Sequence, residues 1–117
     1  MKRKIFKTPS GATIPFTQLG FGSAPLGNLY SAITEDQAMD VLNAMWKAGL
    51  RYIDTAPLYG LGLSETRLNH FLRGKKRSEY VLSTKIGRLL EVCPPNHRTG
   101  IGKFFNTPNR REKFDYS

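Results

Sequence analysis

The stretch YIDTAPLYGLGLSE, residues 52–65, changes character part of the way along. It begins with Tyr52 and Ile53, which favour a buried β-strand. Asp54 ends this predicted strand, and Tyr59 follows five residues later in a loop of alanine, proline, leucine and glycine. The stretch therefore predicts that a carboxylate and a phenol lie together at the carboxyl end of a strand.

A helix is predicted before this stretch. Thr34 is a candidate N-cap, and Gln37 completes a capping box three residues later. Gly49 is the expected C-terminal residue. Between them, apolar residues recur at spacings of three and four and form a stripe that is more typical of core packing than of a cofactor site. The members of this stripe are Ala38, Val41, Leu42, Met45 and Trp46.

A second helix is predicted after the stretch, with Ser64 as its N-cap and Gly74 at its end. Leu68, Phe71 and Leu72 are expected to form its inner face, because they recur at helical spacing. This helix leads directly into another run of residues that favour a strand.

Three predicted strands alternate with these helices and end near Gly22, Asp54 and Lys85, at intervals of 32 and 31 residues. Such an interval is the length of one strand–helix–strand unit with short loops. Parallel strands need a crossover of this kind, because a tight turn cannot join them. The sequence therefore predicts an α/β protein with a parallel sheet.

These strands and helices occupy residues 17–86 of what we interpret as a single partial domain, residues 1–117. Residues 4–17 have the pattern of a β-hairpin around a Pro-Ser-Gly turn. Residues 87–117 are rich in proline and glycine and lack a sustained apolar stripe, so we predict a long loop there. The chain then stops where a further element is expected.

The chain of 117 residues carries a formal charge of +9, and its isoelectric point is near 10.0. Nucleic-acid-binding domains share this balance. However, no zinc-finger pattern, aromatic ribonucleoprotein signature or basic zipper accompanies the charge. We therefore expect a solvated basic surface and no nucleic-acid partner. A basic nucleic-acid-binding domain remains the alternative interpretation.

No segment approaches the roughly 20 apolar residues of a membrane span. The basic start of the chain also lacks the apolar run of a secretory signal peptide. The single cysteine, Cys93, permits no internal disulfide bond. We therefore expect a cytoplasmic protein with no membrane partner, and we expect no metal site.

Asp54, Tyr59 and Lys85 share the carboxyl ends of the predicted strands, where ligands bind in parallel α/β folds. Each alone has an ordinary structural explanation, as a loop cap, a packed ring or a solvated cation. Together they make chemical sense, because a phenol has a pKa near 10 and a nearby lysine cation lowers it. A carboxylate beside the lysine keeps that cation charged and in place. Such a tyrosine is suited to act as a general acid or base on an alcohol or a carbonyl.

Three segments carry a family resemblance: GFGSAPLGN at residues 20–28, the stretch at residues 52–65, and VLSTKIGRLL at residues 81–90. Their order, the step from acid to tyrosine and the Ser-Glu that follows resemble the first three strand-end motifs of the aldo-keto reductases. The resemblance covers residues 5–90. The STKIGRLL run and the final FDYS are most similar to the branch of sugar and pyridoxal dehydrogenases.

This resemblance implies the fold and the reaction. The fold would be the N-terminal part of a (β/α)8 TIM barrel whose N-terminal hairpin closes the bottom. The reaction would be hydride transfer between NAD or NADP and a small-molecule substrate, which is a sugar or an aromatic alcohol or aldehyde. Tyr59 matches the proton-transfer tyrosine, and Lys85 matches the lysine that tunes it. Asp54 matches the acid that pairs with this lysine and lies near the nicotinamide ribose.

The resemblance also implies a cofactor-binding segment, since Gly22, Ser23 and Ala24 match the residues beside the cofactor. The catalytic histidine of the family lies at the end of the fourth strand, and neither His70 nor His97 is in the matching place. A complete barrel needs about 250 residues. We therefore expect this chain alone to be inactive and to self-associate through an open sheet edge. A truncated, non-catalytic interaction protein is the other alternative.

Overall fold

A computed structural model of the chain describes residues 1–99 and 102–117. Its centre is a parallel sheet of three strands in the order β3-β4-β5, formed by Gly20–Gly22, Tyr52–Asp54 and Val81–Ser83. Two helices, α1 at Glu35–Lys47 and α2 at Leu63–Leu72, connect these strands in turn. The predicted order of strands and helices and the parallel pairing are therefore confirmed.

Each strand of this sheet has only three residues. Thr17 ends β2, the strand Thr13–Thr17 of the N-terminal hairpin. Its buried hydroxyl donates to the Leu19 carbonyl at 2.7 Å and turns the chain there. The same hydroxyl accepts from the backbone N–H groups of Arg51 and Tyr52, each at 3.2 Å. Thr17 thus joins the hairpin to the start of β4. Lys85 lies two residues beyond the end of β5.

Helix α1 begins with the predicted capping box. The backbone N–H of Gln37 donates to the Thr34 hydroxyl at 3.1 Å, and the Thr34 N–H donates to the Gln37 side chain at 2.9 Å. The predicted stripe is wrong at one position, because the side chain of Val41 is 46% exposed while Leu42 is fully buried. Neighbouring positions on a helix differ by about 100°, so both cannot face the core.

Helix α2 does not begin as predicted. Its N-cap is Gly62, and Ser64 lies inside the first turn. The fully buried Ser64 hydroxyl is hydrogen-bonded to Ser23 and Thr55, which directly follow β3 and β4. The predicted inner face is confirmed, because Leu68, Phe71 and Leu72 are buried. The hydroxyl of Ser64 therefore serves tertiary structure rather than the helix end.

The hydrophobic core lies between the two helices and one face of the sheet. Ile53 contributes the middle of β4 and is fully buried. Because side chains alternate along a strand, Tyr52 and Asp54 lie on the other face of the sheet, as does Ser83 opposite Asp54. The sheet thus has an apolar face toward the helices and a polar face at its carboxyl end.

The N-terminal hairpin is present, with β1 at Arg3–Lys7 paired antiparallel to β2 at Thr13–Thr17. Phe16 packs edge-on against Tyr52, with ring centroids 4.9 Å apart. Since Tyr52 begins β4, the hairpin covers the amino end of the sheet. The carboxyl end, with Asp54, lies away from it.

The prediction of a long loop at residues 87–117 is wrong in two segments, which form strands. Arg88–Val92 and Arg110–Phe114 form strands β6 and β7, which pair antiparallel along five residues. Opposite charges meet across this pair, with Arg111 and Lys113 both bound to the same Glu91 carboxylate at 3.2 and 3.4 Å. Such cross-strand pairs stabilise a hairpin, but its long connection hides it from local sequence patterns. Residues 100 and 101 of the predicted loop lie outside the described residues.

The open sheet leads to a prediction for the 117-residue polypeptide on its own. Strands β3 and β5 form the edges of the sheet within the described residues, and an unpaired edge recruits other chains. We expect concentration-dependent association in sedimentation velocity. Leu82→Lys, which places a charge on β5 where Leu82 is 38% exposed, should reduce it, whereas Leu82→Met should not. A single monomer species at all concentrations would contradict this expectation.

Candidate active site

The carboxylate of Asp54 lies where β4 ends and is held by two donors. The Ser83 hydroxyl donates to Oδ1 at 2.6 Å, and the Lys85 ammonium donates to Oδ2 at 2.9 Å. The Ser83 hydrogen bond, followed by that of Lys85, lowers the pKa of the Asp54 carboxyl. The carboxylate is therefore ionised at neutral pH.

Lys85 follows β5 and is bound to the carboxyl end of β4. Besides its bond to Asp54, its ammonium donates to the Thr55 carbonyl at 2.9 Å. The Asp54 carboxylate is the main cause of a raised pKa at Lys85, and Tyr59 adds to the effect. The ion pair is therefore lost only when pH falls through the lowered value of Asp54 or rises through the raised value of Lys85. Both groups are charged throughout the range between.

The ring of Tyr59 is half-buried beside this ion pair. The Lys85 ammonium lies 5.1 Å from the centre of the ring. On the same ring, Phe104 makes a tilted contact with centroids 6.3 Å apart. The structure thus brings together the three residues, Asp54, Tyr59 and Lys85, that the sequence places at strand ends. A cavity of about 290 Å³ adjoins Tyr59 and Lys85 and is otherwise lined by Ala56, Pro57, Leu58, Ile86 and Arg88.

The backbone after Tyr59 makes a left-handed turn that sets the position of the ring. Gly60, Leu61 and Gly62 have φ values of +67°, +52° and +94°. Leu61 adopts this unfavourable conformation with its side chain fully buried, so core packing offsets the strain. A Cβ added at Gly60 would lie 2.5 Å from the carbonyl oxygen of Gly27. The loop that carries Tyr59 therefore packs directly on the loop that follows β3.

A buried network of hydroxyl groups joins the strand ends beneath the site. Ser23 donates through its hydroxyl and its N–H to the Asp54 carbonyl, at 2.8 and 3.0 Å. Ser64 donates to the Ser23 carbonyl at 3.0 Å and lies 3.0 Å from the Thr55 hydroxyl. Ser23 is fully buried, so it does not offer these groups to a ligand. In this structure Ser23 holds the end of β4 in place through the Asp54 carbonyl, and its position beside a cofactor stays a prediction.

The other two residues of the predicted cofactor segment are accessible. Gly22 is exposed at the end of β3, directly opposite Asp54 in the parallel register. A Cβ added at Gly22 would meet no atom within 4 Å, so the backbone there is open to close approach. Ala24 is half-buried one residue beyond Ser23. The geometry around Gly22 and Asp54 therefore fits a cofactor that lies against bare backbone.

Sequence reasoning missed Ser83, although a signal was present. Ser83 lies two residues before Lys85 and directly opposite Asp54 in the parallel pairing of β4 with β5. Alternation along the strand places it on the same face as Lys85. Its hydroxyl also lies 3.3 Å from that of Tyr52. Ser83 thus orients the carboxylate so that the second oxygen is free to meet Lys85.

His70 and His97 are both exposed, on α2 and at the end of the short 3₁₀ helix Pro95–His97. Within residues 1–99 and 102–117, no cluster of three histidine, cysteine or acidic side chains could hold a metal ion. In that same part of the chain, no helix has the length and apolar character needed to cross a bilayer.

The chain is similar to known dehydrogenases. It is 48% identical to D-threo-aldose 1-dehydrogenase from a Pseudomonas species, over 92% of this chain and 33% of the relative. It is 42% identical to pyridoxal 4-dehydrogenase from Microbacterium luteolum, over 99% of this chain and 35% of the relative. The chain therefore spans about a third of the length of these curated relatives.

The fold has a solved counterpart in the holo form of an aldo-keto reductase from Bacillus halodurans. That structure matches with a TM-score of 0.62 and 32% identity, over 75% of this chain and 26% of the other. The sequence model of the Aldo/keto reductase family matches residues 18–117. This model covers more than half of the chain, and the chain therefore belongs to the aldo/keto reductase family.

Proposed function

We propose that the chain supplies the proton-transfer site of an NAD(P)-dependent oxidoreductase that interconverts an alcohol and a carbonyl. The observation that carries this proposal is the joining of Asp54, Lys85 and Tyr59, with the ammonium bound to the carboxylate at 2.9 Å and 5.1 Å from the phenol ring. A charged lysine beside a phenol favours proton exchange at that phenol.

Each residue has a distinct task. The Tyr59 hydroxyl gives a proton to the oxygen of a carbonyl under reduction, or takes one from an alcohol under oxidation. Lys85 stabilises the phenolate through its positive charge. Asp54 keeps Lys85 charged and in position, and Ser83 orients Asp54.

We propose that Gly22, Ser23, Ala24 and Asp54 form the part of the site beside the nicotinamide end of the cofactor. The backbone at Gly22 is open beside the carboxylate, and Ser23 fixes the Asp54 carbonyl. When bound, the nicotinamide supplies the chemistry of hydride transfer. NAD and NADP both fit this proposal, since the groups that distinguish them lie at the far end of the cofactor.

The proposed substrate is a small alcohol or aldehyde, and the proposed direction is oxidation. Two relatives that match almost the whole chain are named for dehydrogenation of an aldose and of pyridoxal. We propose no nucleic-acid partner, since Arg111 and Lys113 of β7 are engaged with Glu91 in the hairpin and Arg110 donates to the Leu61 carbonyl.

The test uses a complete barrel: this chain followed by the remaining two-thirds of the Pseudomonas relative, called here the complete-barrel protein. We expect it to reduce NAD or NADP with an aldose or a pyridine-ring alcohol as substrate. The absorbance of the reduced nicotinamide measures the rate. The 117-residue polypeptide alone is the control and should show neither turnover nor tight cofactor binding by calorimetry. A complete-barrel protein that binds cofactor but oxidises no alcohol would contradict the proposal.

The contact between the first two loops gives a further prediction. A Cβ added at Gly27 would lie 2.5 Å from the backbone nitrogen of Gly60, so Gly27→Ala must push the Tyr59 loop away. We expect a loss of about 1–3 kcal/mol in stability, as overpacking typically causes, together with reduced turnover. Urea unfolding and steady-state kinetics of the complete-barrel protein measure the two effects. Gly74→Ala is the matched control, because its added Cβ meets nothing within 4 Å, and equal effects of both variants would refute the packing argument.

A further inference from the structure

The segment 103–105 belongs to the connection between β6 and β7 and lies against the candidate active site. The Tyr30 N–H donates to the Lys103 carbonyl at 2.8 Å, and the Phe105 N–H donates to the Asn28 carbonyl at 3.1 Å. Leu29 and Phe104 form an antiparallel bridge between these two bonds. A short stretch of backbone pairing thus attaches this segment to the loop that follows β3.

A buried network anchors the attachment. Asn28 is 2% exposed and adopts a left-handed conformation with φ of +64°. Its side-chain amide donates to the Phe105 carbonyl at 2.8 Å, and its side-chain oxygen accepts from the Arg67 guanidinium at 2.8 Å. Arg67 is itself 4% exposed and bound to Glu35 at 2.7 Å. The segment is therefore fixed to the fold by buried side chains, through the bond from Asn28 to the Phe105 carbonyl.

This anchoring brings Phe104 to the ring of Tyr59. The two ring centroids are 6.3 Å apart and the planes are inclined by 36°. A proton-transfer hydroxyl must lie within hydrogen-bond distance of the reacting oxygen, so the body of the substrate must extend past the Tyr59 ring. Phe104 contacts that same ring from the segment 103–105, and its own ring offers an apolar face for stacking.

We propose that Phe104 is a specificity-determining residue that selects alcohols whose reacting carbon carries an aromatic ring. This inference rests on the proposed function and names the substrate class of the same site. Tyr59 and Phe104 together provide two aromatic surfaces, contributed by two different loops, beside the reacting oxygen. A short aliphatic alcohol reaches Tyr59 but is too small to contact Phe104.

The test compares two neighbouring phenylalanines in the complete-barrel protein. The probes are benzyl alcohol, a pyridine-ring alcohol and glycerol. Phe104→Ala should raise KM for the two aromatic alcohols by roughly tenfold, the size of effect that lost apolar contacts produce. KM for glycerol, and kcat for all three, should change little. Phe105→Ala is the matched control: its side chain is 51% exposed and its backbone makes the Asn28 contacts, so it should leave the aromatic preference unchanged.

Phe104→Leu guards against a general disturbance of the loop, since it keeps an apolar side chain and should give an intermediate KM. Cofactor affinity, measured by calorimetry, should be the same in all variants. If the wild-type protein oxidises the probes and Phe104→Ala leaves the ratio of aromatic to glycerol kcat/KM unchanged, or if Phe105→Ala has the same effect, the inference is wrong while the proposed function stands. If the wild-type protein oxidises an aldose but neither aromatic alcohol, this inference alone is wrong. If it oxidises neither an aldose nor any of the three probes, the proposed function fails and this inference fails with it.

Discussion

Replacement of Tyr59 by phenylalanine should lower turnover of the complete-barrel protein by about 10²–10⁴-fold, the contribution of a positioned general acid or base. The substitution removes one hydroxyl group and leaves the ring in place. Packing of the ring beside Lys85 and Phe104, and the turn at Gly60, need not change. Cofactor affinity should therefore stay close to that of the wild type, so that the loss falls on kcat.

A second tyrosine at the same end of the sheet provides the control. Tyr30 follows β3, is 67% exposed and also lies beside a lysine ammonium, that of Lys103, at 5.2 Å from the ring centre. Tyr30→Phe should retain turnover, because no acid pairs with that lysine in the way that Asp54 pairs with Lys85 among the described contacts. Wild-type turnover in the Tyr59→Phe protein would remove Tyr59 from the mechanism.

Replacement of Lys85 by methionine should have the next largest effect. The variant keeps a chain of similar length but loses the positive charge beside the phenol. Alcohol oxidation needs the phenol in its deprotonated form, and without the cation this form is reached only at higher pH. We therefore expect the pH profile for oxidation to move toward alkaline values, with residual rates reduced by about 10²-fold or more at neutral pH.

The measurement is the pH dependence of kcat and of kcat/KM, under conditions where a substrate deuterium isotope effect shows that chemistry limits the rate. Lys103→Met is the matched control, since it removes another lysine near an aromatic ring at the same end of the sheet. An unshifted profile for Lys85→Met would mean that the cation does not tune the phenol. Asp54 should also lose part of the stabilisation of its ionised form, because only Ser83 would remain as its donor.

Local patterns in the sequence determined the framework of this protein. The capping box at Thr34, the alternation of strands with helices and the spacing from Asp54 to Lys85 are all properties of short segments. Each could be predicted because the physical cause, such as an unsatisfied N–H group or a periodic apolar face, acts between residues that are close in the chain. The same spacing predicts that Asp54, Tyr59 and Lys85 lie at one end of the sheet.

Only the tertiary structure decided which polar groups hold that site together. Ser64 has the sequence features of a helix cap, but its hydroxyl donates to the carbonyl of Ser23, which is 41 residues away in the chain. The pairing of β6 with β7 and the arrival of Phe104 beside Tyr59 also join segments that are far apart in the chain. Such contacts depend on buried hydrogen bonds and cross-strand charges whose partners no local pattern identifies. The sequence determined where Asp54, Tyr59 and Lys85 lie, and the packing of distant segments decided what surrounds them.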